Sequence, residues 1–251
     1  MKISLITTCY NREATIRATI ESVLSQDYAN IEYIIVDGAS KDKTMDIVNE
    51  YKNRVSTIIS EPDSGMYEAL NKGLLRATGD VIGLVHSDDV LFSPSVISQI
   101  VAKFNETGAD FLYGDGLFVS ATDENKVIRK WIGGTYRLWK VRNGWLPLHT
   151  SCYIRRNVIE RKGLYNQTYK IASDSDFLLR MLIAGDLNVA YLNKFIVRMR
   201  MGGLSTDKSK RRLVWQEDER IYSSHGLSPT LSKIEKVIWK LPQFLRAKLK
   251  L

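Results

Sequence analysis

At 251 residues, 44% hydrophobic and 25% charged, the chain can bury a full core and has the composition of a globular protein, not of a disordered or fibrous one. No apolar run approaches the roughly eighteen residues of a membrane-spanning helix, and the opening MKISLITTCYN reads as a strand, not a signal peptide. The net charge of +8 is concentrated in KSKRR at 208–212 and in the last 19 residues, which hold six Lys/Arg against one Glu, so nucleic-acid binding is not expected.

KISLITT is a short apolar run rich in β-branched residues and predicts a first strand. Cys9 beyond it, and Cys152, show neither metal-ligand nor disulfide spacing, which fits a reducing, cytoplasmic setting. From Glu13 to Ser25, the residues Ile16, Ile20, Val23 and Leu24 mark one helical face. IEYIIVD (31–37) predicts a second strand, followed by GASKDKT and a helix through Met45, Ile47, Val48 and Tyr51. VSTIISE (55–61) predicts a third strand, MYEALNKGLLRA (66–77) a helix and DVIGLVH (80–86) a fourth strand. Ser93-Pro94 reads as an N-cap and first-turn pair for a helix carrying Val96, Ile97, Ile100, Val101 and Phe104, which Gly108 ends. ADFLYGD (109–115) predicts a fifth strand.

The second half is less regular. FVSATDENKVIRKWIGG predicts a hairpin turning near Asp123–Asn125, ASDSDFLLRMLIAGD a helix, and LNVAYLNKFIVRMRM one or two further strands. In the tail, Ile234, Val237, Ile238, Leu241 and Leu245 recur at helical spacing with Lys233, Lys236 and Lys240 between them. That pattern suits an anionic membrane surface, or a capping helix with solvated lysines that Pro242 interrupts.

Strands alternating with helices imply an α/β fold with a mostly parallel sheet, and ligands of such sheets bind beyond the carboxyl ends of the strands. That edge receives Thr8, Tyr10 and Asn11 after the first strand, Asp37 at the end of the second, Glu61 and Asp63 after the third, and Asp88-Asp89 after the fourth. Neither a Walker A sequence nor GxGxxG is present, so a diphosphate here would need a divalent cation held on carboxylates. Asp88 and Asp89 offer hard oxygen ligands, and a cation would relieve their repulsion. Asp37 reads equally as a turn residue or as an acceptor for a nucleobase or ribose. Asp174 and Asp176, at a helix entry, read as caps, or as a general base if that helix start faces the site.

ISLITTCYNREATIRATIESVLSQDYANIEYIIVDGASKDKT strongly resembles the start of the family 2 glycosyltransferases, which have the GT-A fold. SEPDSGMYEALNKGLLRATGDVIGLVHSDD and GLYNQTYKIASDSDFLLRM continue the resemblance in order, across roughly residues 1–205. It implies a single GT-A, Rossmann-like domain over 1–205, with a nucleotide-sugar-binding half (1–115) and an acceptor and catalytic-base half (116–205). A basic helical extension, 206–251, would follow. It also implies a nucleotide-diphosphate sugar donor, UDP-sugars favoured, with Mn²⁺ or Mg²⁺ as cofactor and inversion at the anomeric carbon.

Residue by residue, Thr8 and Tyr10 match positions lining the nucleotide pocket, and Asp37 matches the aspartate that binds the base. Asp63 joins them on the donor side. Asp88-Asp89 matches the DXD-type element, Asp89 as metal ligand and Asp88 nearer the ribose or sugar. Asp174 matches the catalytic base of the family's "ED" motif. Ser173 stands where that motif has Glu, which leaves Asp176 a rival, and His86 stands where an Asn is expected. His149 and Trp145 fall where the family receives its acceptor, although a buried structural role is open to both. MGGLS (201–205) resembles a glycine-rich segment of polysaccharide-assembly enzymes. The implied partners are a nucleotide-sugar donor and a glycan or lipid-linked acceptor of surface polysaccharide synthesis; the basic tail adds an anionic membrane surface, at the inner face of the cell membrane. The competing readings are a sugar-nucleotidyltransferase, against which TTCYNREATIR lacks the expected glycines, and a non-catalytic sugar-nucleotide-binding module.

Overall fold

A computed structural model describes residues 1–123, 126–202, 210–232, 234, 238, 239 and 243. The first half follows the alternation of periods. Strand β1 (Ile3–Cys9) leads to helix α1 (Ile16–Leu24), β2 (Ile31–Asp37) to α2 (Thr44–Glu50), and β3 (Thr57–Ser60) to α3 (Met66–Arg76), before β4 (Val81–Leu84). β1 pairs in parallel with β2 on one side and with β4 on the other, and β2 pairs in parallel with β3. The chain therefore runs outward from β1 in one direction and returns to its opposite flank for β4, which opens a crevice at the carboxyl ends of β1 and β4.

The next stretch departs from the sequence expectation. A two-residue strand, β5 (Val90–Leu91), follows the double aspartate, and α4 (Val96–Thr107) begins later than Ser93-Pro94 implies. The Ser93 hydroxyl faces that of Ser95 at 3.2 Å instead of capping. The cap comes from outside the segment: Gln26 Oε1, just beyond α1, accepts the Ile97 N–H at 3.1 Å. Gly108, at φ 62°, ends the helix in the left-handed conformation that favours glycine.

Beyond α4, β6 (Phe111–Val119) runs longer than predicted and forms the expected hairpin with β7 (Val127–Trp131). Of its turn, Glu124 and Asn125 lie outside the described residues. The sequence pattern did not reveal α5 (Leu138–Arg142), the 3-10 turn at His149–Ser151, β8 (Cys152–Arg155) or α6 (Arg156–Lys162). β8 inserts antiparallel between β4 and β6. Then come α7 (Ser173–Leu182), a single long β9 (Val189–Arg200) parallel to β6, and α8 (Arg211–Ser224). The sheet order is β3-β2-β1-β4-β8-β6-β9-β5, with β7 beside β6.

Both faces of this sheet are buried, as its apolar strands require. α1, α2 and α4 cover one face through Ile16, Ile20, Val48, Ile97 and Phe104. α3, α6 and α7 cover the other through Leu70, Val158, Phe177 and Met181. α8 lies in the stretch read as a C-terminal extension, yet Ile221 and Tyr222 are fully buried in the same cluster as Phe177. Of the amphipathic tail, Ile234 and Ile238 are described and each is about half exposed, as is Leu231 just before it. Val237, Leu241, Leu245, Lys233, Lys236, Lys240 and Pro242 lie outside the described residues, as do residues 203–205 of MGGLS and 208–209 of KSKRR.

Candidate active site

Register places the predicted edge residues at one level: Thr8 pairs with Val36, Cys9 with Asp37, and Asp37 with Ser60. Asp37 is fully buried. Its carboxylate accepts the Ser40 N–H at 3.0 Å and the Ser60 hydroxyl at 2.7 Å, together with a short bond from the Ser40 hydroxyl. The loops after β1 and β2 are laced together around it. The Asn11 N–H reaches Ser40 Oγ at 2.8 Å, and Asn11 Oδ1 accepts the Lys41 N–H at 2.8 Å. Asn11 and Ala39 hold positive φ (53° and 60°); asparagine tolerates that conformation readily, whereas for Ala39 it is uncommon. Gly38 is required by proximity, since a Cβ there would stand 2.5 Å from Asp63 Oδ2.

Asp63 is thus packed onto the Asp37 loop. Burial raises its carboxyl above the ordinary range, against the pull of the Gly65 N–H and Lys72, and the charges of Glu68 and Asp37 add to the rise. Thr8 is buried beside them, and Tyr10 is 55% exposed at the rim.

On the other side of β1, the chain turns after β4, with the Asp89 N–H bonded to the His86 carbonyl at 2.9 Å. The Thr19 hydroxyl of α1 holds this turn from below, donating to the Asp89 carbonyl at 2.7 Å. Asp88 is half-buried. Asp89 is 1% exposed, and its Oδ2 has no hydrogen-bond partner. Burial and the neighbouring Asp88 charge push its carboxyl well above the usual range, opposed by the Arg200 N–H and guanidinium. A buried carboxylate oxygen without a partner is costly while charged, and either a proton or a bound cation relieves it. No cluster of three or more His, Cys, Asp or Glu that could hold a metal occurs among the described residues. Asp88 and Asp89 nevertheless fit a hard cation of the magnesium or manganese kind, which takes one or two protein carboxylates and fills its other positions with water and phosphate oxygens.

From Asp88 a chain of rings leads towards α7. The Asp88 charge favours the protonated form of His86, but burial outweighs it and lowers the imidazole's pKa, and Arg12 pushes the same way. The His86 and His149 rings lie 5.9 Å apart. Burial, reinforced by His86, drives His149 down to about 3, so it is neutral. His149 Nε2 and the Tyr165 hydroxyl are 2.6 Å apart, and the Tyr165 ring stacks on Phe177 at 4.1 Å. The half-buried Asp174 is close enough to raise the Tyr165 and Tyr67 hydroxyls electrostatically, adding to their burial. Trp145 takes the buried role open to it: it is 5% exposed and packs edge-on against Tyr113 at 5.7 Å.

Asp174 and Asp176 differ in circumstance. Asp176 is 5% exposed, with Oδ2 accepting from Arg180 Nε at 3.0 Å and Oδ1 standing 3.1 Å from His225 Nε2. Burial raises its carboxyl, but the bonds from His225 and Arg180 prevail and the net direction is down. Arg180 in turn donates to the Lys162 carbonyl and the Leu164 carbonyl, each at 2.6 Å. Asp176 is therefore a tie between helices, whereas Asp174 stands in the first turn of α7 beside the aromatic wall.

Several residues of the site left no trace in the reading of the sequence. Ser60 and Arg200 reach the aspartates only through strand pairing. Ser40 has a local signal, a hydroxyl three residues after an aspartate, in the spacing of a side-chain-to-backbone turn.

Carboxylates gathered beyond β2 and β4 of a largely parallel sheet with helices on both faces define a GT-A-fold enzyme. The fold is similar to S. aureus TarS 1-349 in complex with UDP-GlcNAc (TM-score 0.70, 19% identical, covering 100% of this chain and 77% of that one). It is also similar to the mannosyltransferase PcManGT from Pyrobaculum calidifontis in complex with GDP-Man and Mn²⁺ (TM-score 0.68, 16% identical, covering 98% and 73%). A longer TarS chain is spanned over 43% of its length. A PGL/p-HBAD biosynthesis glycosyltransferase of Mycobacterium bovis is 28% identical over 207 residues, 80% of this chain and 78% of that protein. The family model for glycosyl transferase family 2 matches residues 4–168, and the chain belongs to that family.

Proposed function

We propose that the protein transfers a sugar from a nucleotide-diphosphate sugar, a UDP-sugar in the favoured case, to a hydroxyl of a glycan or lipid-linked acceptor, with inversion at the anomeric carbon. The observation that carries this reading is the buried, orphaned Oδ2 of Asp89 beside Asp88, at the carboxyl end of β4. Asp37 and Asp63 would hold the nucleoside, with Thr8 beneath it and Tyr10 at the rim. Asp88 and Asp89 would hold Mn²⁺ or Mg²⁺, which when bound stabilises negative charge on a departing diphosphate. Residues 1–115 then form the donor half and 116–205 the acceptor half.

Asp174 acts as general base. Its carboxylate takes the proton of the acceptor hydroxyl while that oxygen attacks the anomeric carbon and the bond to the diphosphate breaks. A single displacement of this kind inverts configuration and needs no enzyme nucleophile. Asp176, already committed to Arg180 and His225, is the poorer candidate. Neutral His149 and its Tyr165 partner line the acceptor side, where an uncharged wall leaves Asp174 as the proton acceptor.

The named ligands of the similar structures, UDP-GlcNAc and GDP-Man, support a nucleotide-sugar donor, and the mycobacterial relative, a PGL/p-HBAD biosynthesis glycosyltransferase, supports glycosyl transfer in a biosynthetic route. No helix among the described residues is long and apolar enough to cross a membrane. Leu231, Ile234 and Ile238, exposed at helical spacing within a lysine-rich stretch, would meet an anionic bilayer surface from one side. The donor is tested by thermal shift with UDP, GDP and dTDP, each with and without Mn²⁺, followed by hydrolysis of the matching nucleotide sugars. The reading predicts stabilisation by at least one nucleoside diphosphate that depends on Mn²⁺, and stabilisation by none would contradict it.

A further inference from the structure

α8 lies beyond the stretch matched by the family model, and it reaches the entry of α7 at two places. One is the His225–Asp176 contact just beyond its last turn. The other is Glu217, a carboxylate only 4% exposed in the middle of the helix. Its Oε1 accepts the Lys170 N–H at 2.6 Å, and its Oε2 accepts the N–H groups of Ile171 and Ala172, each at 2.9 Å. Three consecutive backbone donors converging on one carboxylate form an anion nest, and here the anion is part of the chain itself.

This nest sets where Asp174 stands. The first turn of α7 is built on Ala172, whose carbonyl accepts the N–H of Ser175 at 2.9 Å and that of Asp176 at 3.3 Å. The same segment is also held by α3, where the Tyr67 hydroxyl donates to the Ile171 carbonyl. The Ser173 hydroxyl fixes the entry to the Asn166 carbonyl at 2.8 Å. Asp174 follows two residues after the last N–H that Glu217 receives, so a shift of the nest moves the carboxylate of Asp174 with it.

We infer that Glu217 is a positioning residue for the transfer reaction: it clamps the backbone of 170–172 so that Asp174 meets the acceptor hydroxyl. The inference rests on the reading of Asp174 as the base. General-base catalysis tolerates little displacement, and an error of about 1 Å can cost about 100-fold in rate. Glu217→Gln keeps the shape but turns one acceptor into an N–H group facing backbone donors, which forces the segment to shift. Glu217→Asp keeps the charge and withdraws the carboxylate by about one carbon–carbon bond.

The test measures kcat for transfer, nucleoside-diphosphate Kd and melting temperature for both variants, alone and combined with Asp174→Asn. Ile221→Ala, which loosens α8 in the core without touching the nest, is the control for destabilisation. The inference predicts that Glu217→Gln lowers kcat by about 10- to 100-fold with Kd within about twofold of the wild type. Glu217→Asp, whose retained charge preserves the fold if the Gln variant does not fold, is predicted to lower kcat less. Neither variant lowers the rate of Asp174→Asn further, and Ile221→Ala keeps wild-type kcat well below its melting temperature. Wild-type kcat in the Glu217 variants, beside an inactive Asp174→Asn, overturns the positioning role alone. A Glu217 effect that adds in full to that of Asp174→Asn, or that falls on Kd, also overturns it. An active Asp174→Asn overturns the base assignment, and the inference with it.

Discussion

At the scale of single residues, Asp37, Asp89, Asp174 and Asp176 are distinguished by what already surrounds them. Asp37 is buried and satisfied by Ser40 and Ser60, which hold its carboxylate rigid at the place proposed for the nucleoside. Asp89 is buried and incomplete. Asp176 is spent on Arg180 and His225, and Asp174 is half-buried near the Tyr67 and Tyr165 hydroxyls. Asp174→Asn should reduce transfer by about 10²- to 10⁴-fold and leave nucleoside-diphosphate Kd nearly unchanged, as measured by initial rates and titration calorimetry. Lost binding would instead make Asp174 part of the donor site. The places of Asp37 and Asp88-Asp89 were legible in the sequence, because an apolar run followed by Asp marks a strand and its ligand-side end. Spacing left Asp37 equally a turn residue or an acceptor, and only the family resemblance gave these aspartates their separate roles. The choice between Asp174 and Asp176 was not legible: both sit in the same helical turn, and only Arg180 and His225, one four residues on and one 49 residues on, separate them.

At the scale of elements, the alternation from β1 to β4 could be read because each strand is a continuous apolar run and each helix shows its own apolar face. Where partners come from afar, the reading failed. The start of α4 is capped by Gln26, 71 residues before Ile97. β8 is a four-residue strand whose place between β4 and β6 no local pattern announces. The packing of α7 against α8 is a tertiary feature as well, and it is open to test. Asp176→Asn removes the anionic partner of Arg180 and His225, and should lower unfolding free energy by about 2 kcal/mol, read from urea midpoints. Because the Asp176 carboxyl is lowered in the folded protein, its contribution is present above the ordinary aspartate pKa and is lost as pH falls through the folded value.

A second pH effect belongs to the opposite end of the sheet. Burial raises the Glu32 carboxyl, but bonds from Lys2, Ser4 and Thr78 overcome this and bring it down to about 2 from 4.5. That stabilisation is complete above about pH 4.5 and fades as pH falls towards 2. The stability gap between wild type and Glu32→Gln should therefore narrow between about pH 5 and pH 3, and a constant gap would refute the assignment.

At the scale of the whole molecule, one continuous sheet, joined through β8 between β4 and β6, carries all the groups of the proposed site. β1 to β4 bring the groups proposed for the donor, and the elements after β6 bring His149, Tyr165 and Asp174. α8 braces the second half from outside. The tail extends this plan to a surface: Leu231→Glu, Ile234→Glu and Ile238→Glu together should abolish co-sedimentation with anionic phosphatidylglycerol vesicles while leaving donor hydrolysis intact. Equal pelleting of wild type and variant would remove the membrane contact.

The central claim is that the double aspartate after β4 is a cation-dependent diphosphate site. It is tested most directly by calorimetric titration of the tightest-binding nucleoside diphosphate into wild type and Asp89→Asn, each with Mn²⁺ and with EDTA. The account predicts that EDTA weakens wild-type binding by at least about tenfold, the equivalent of about 1.4 kcal/mol, and that Asp89→Asn binds at the weak level with or without Mn²⁺. Equal wild-type affinity in Mn²⁺ and in EDTA would contradict it.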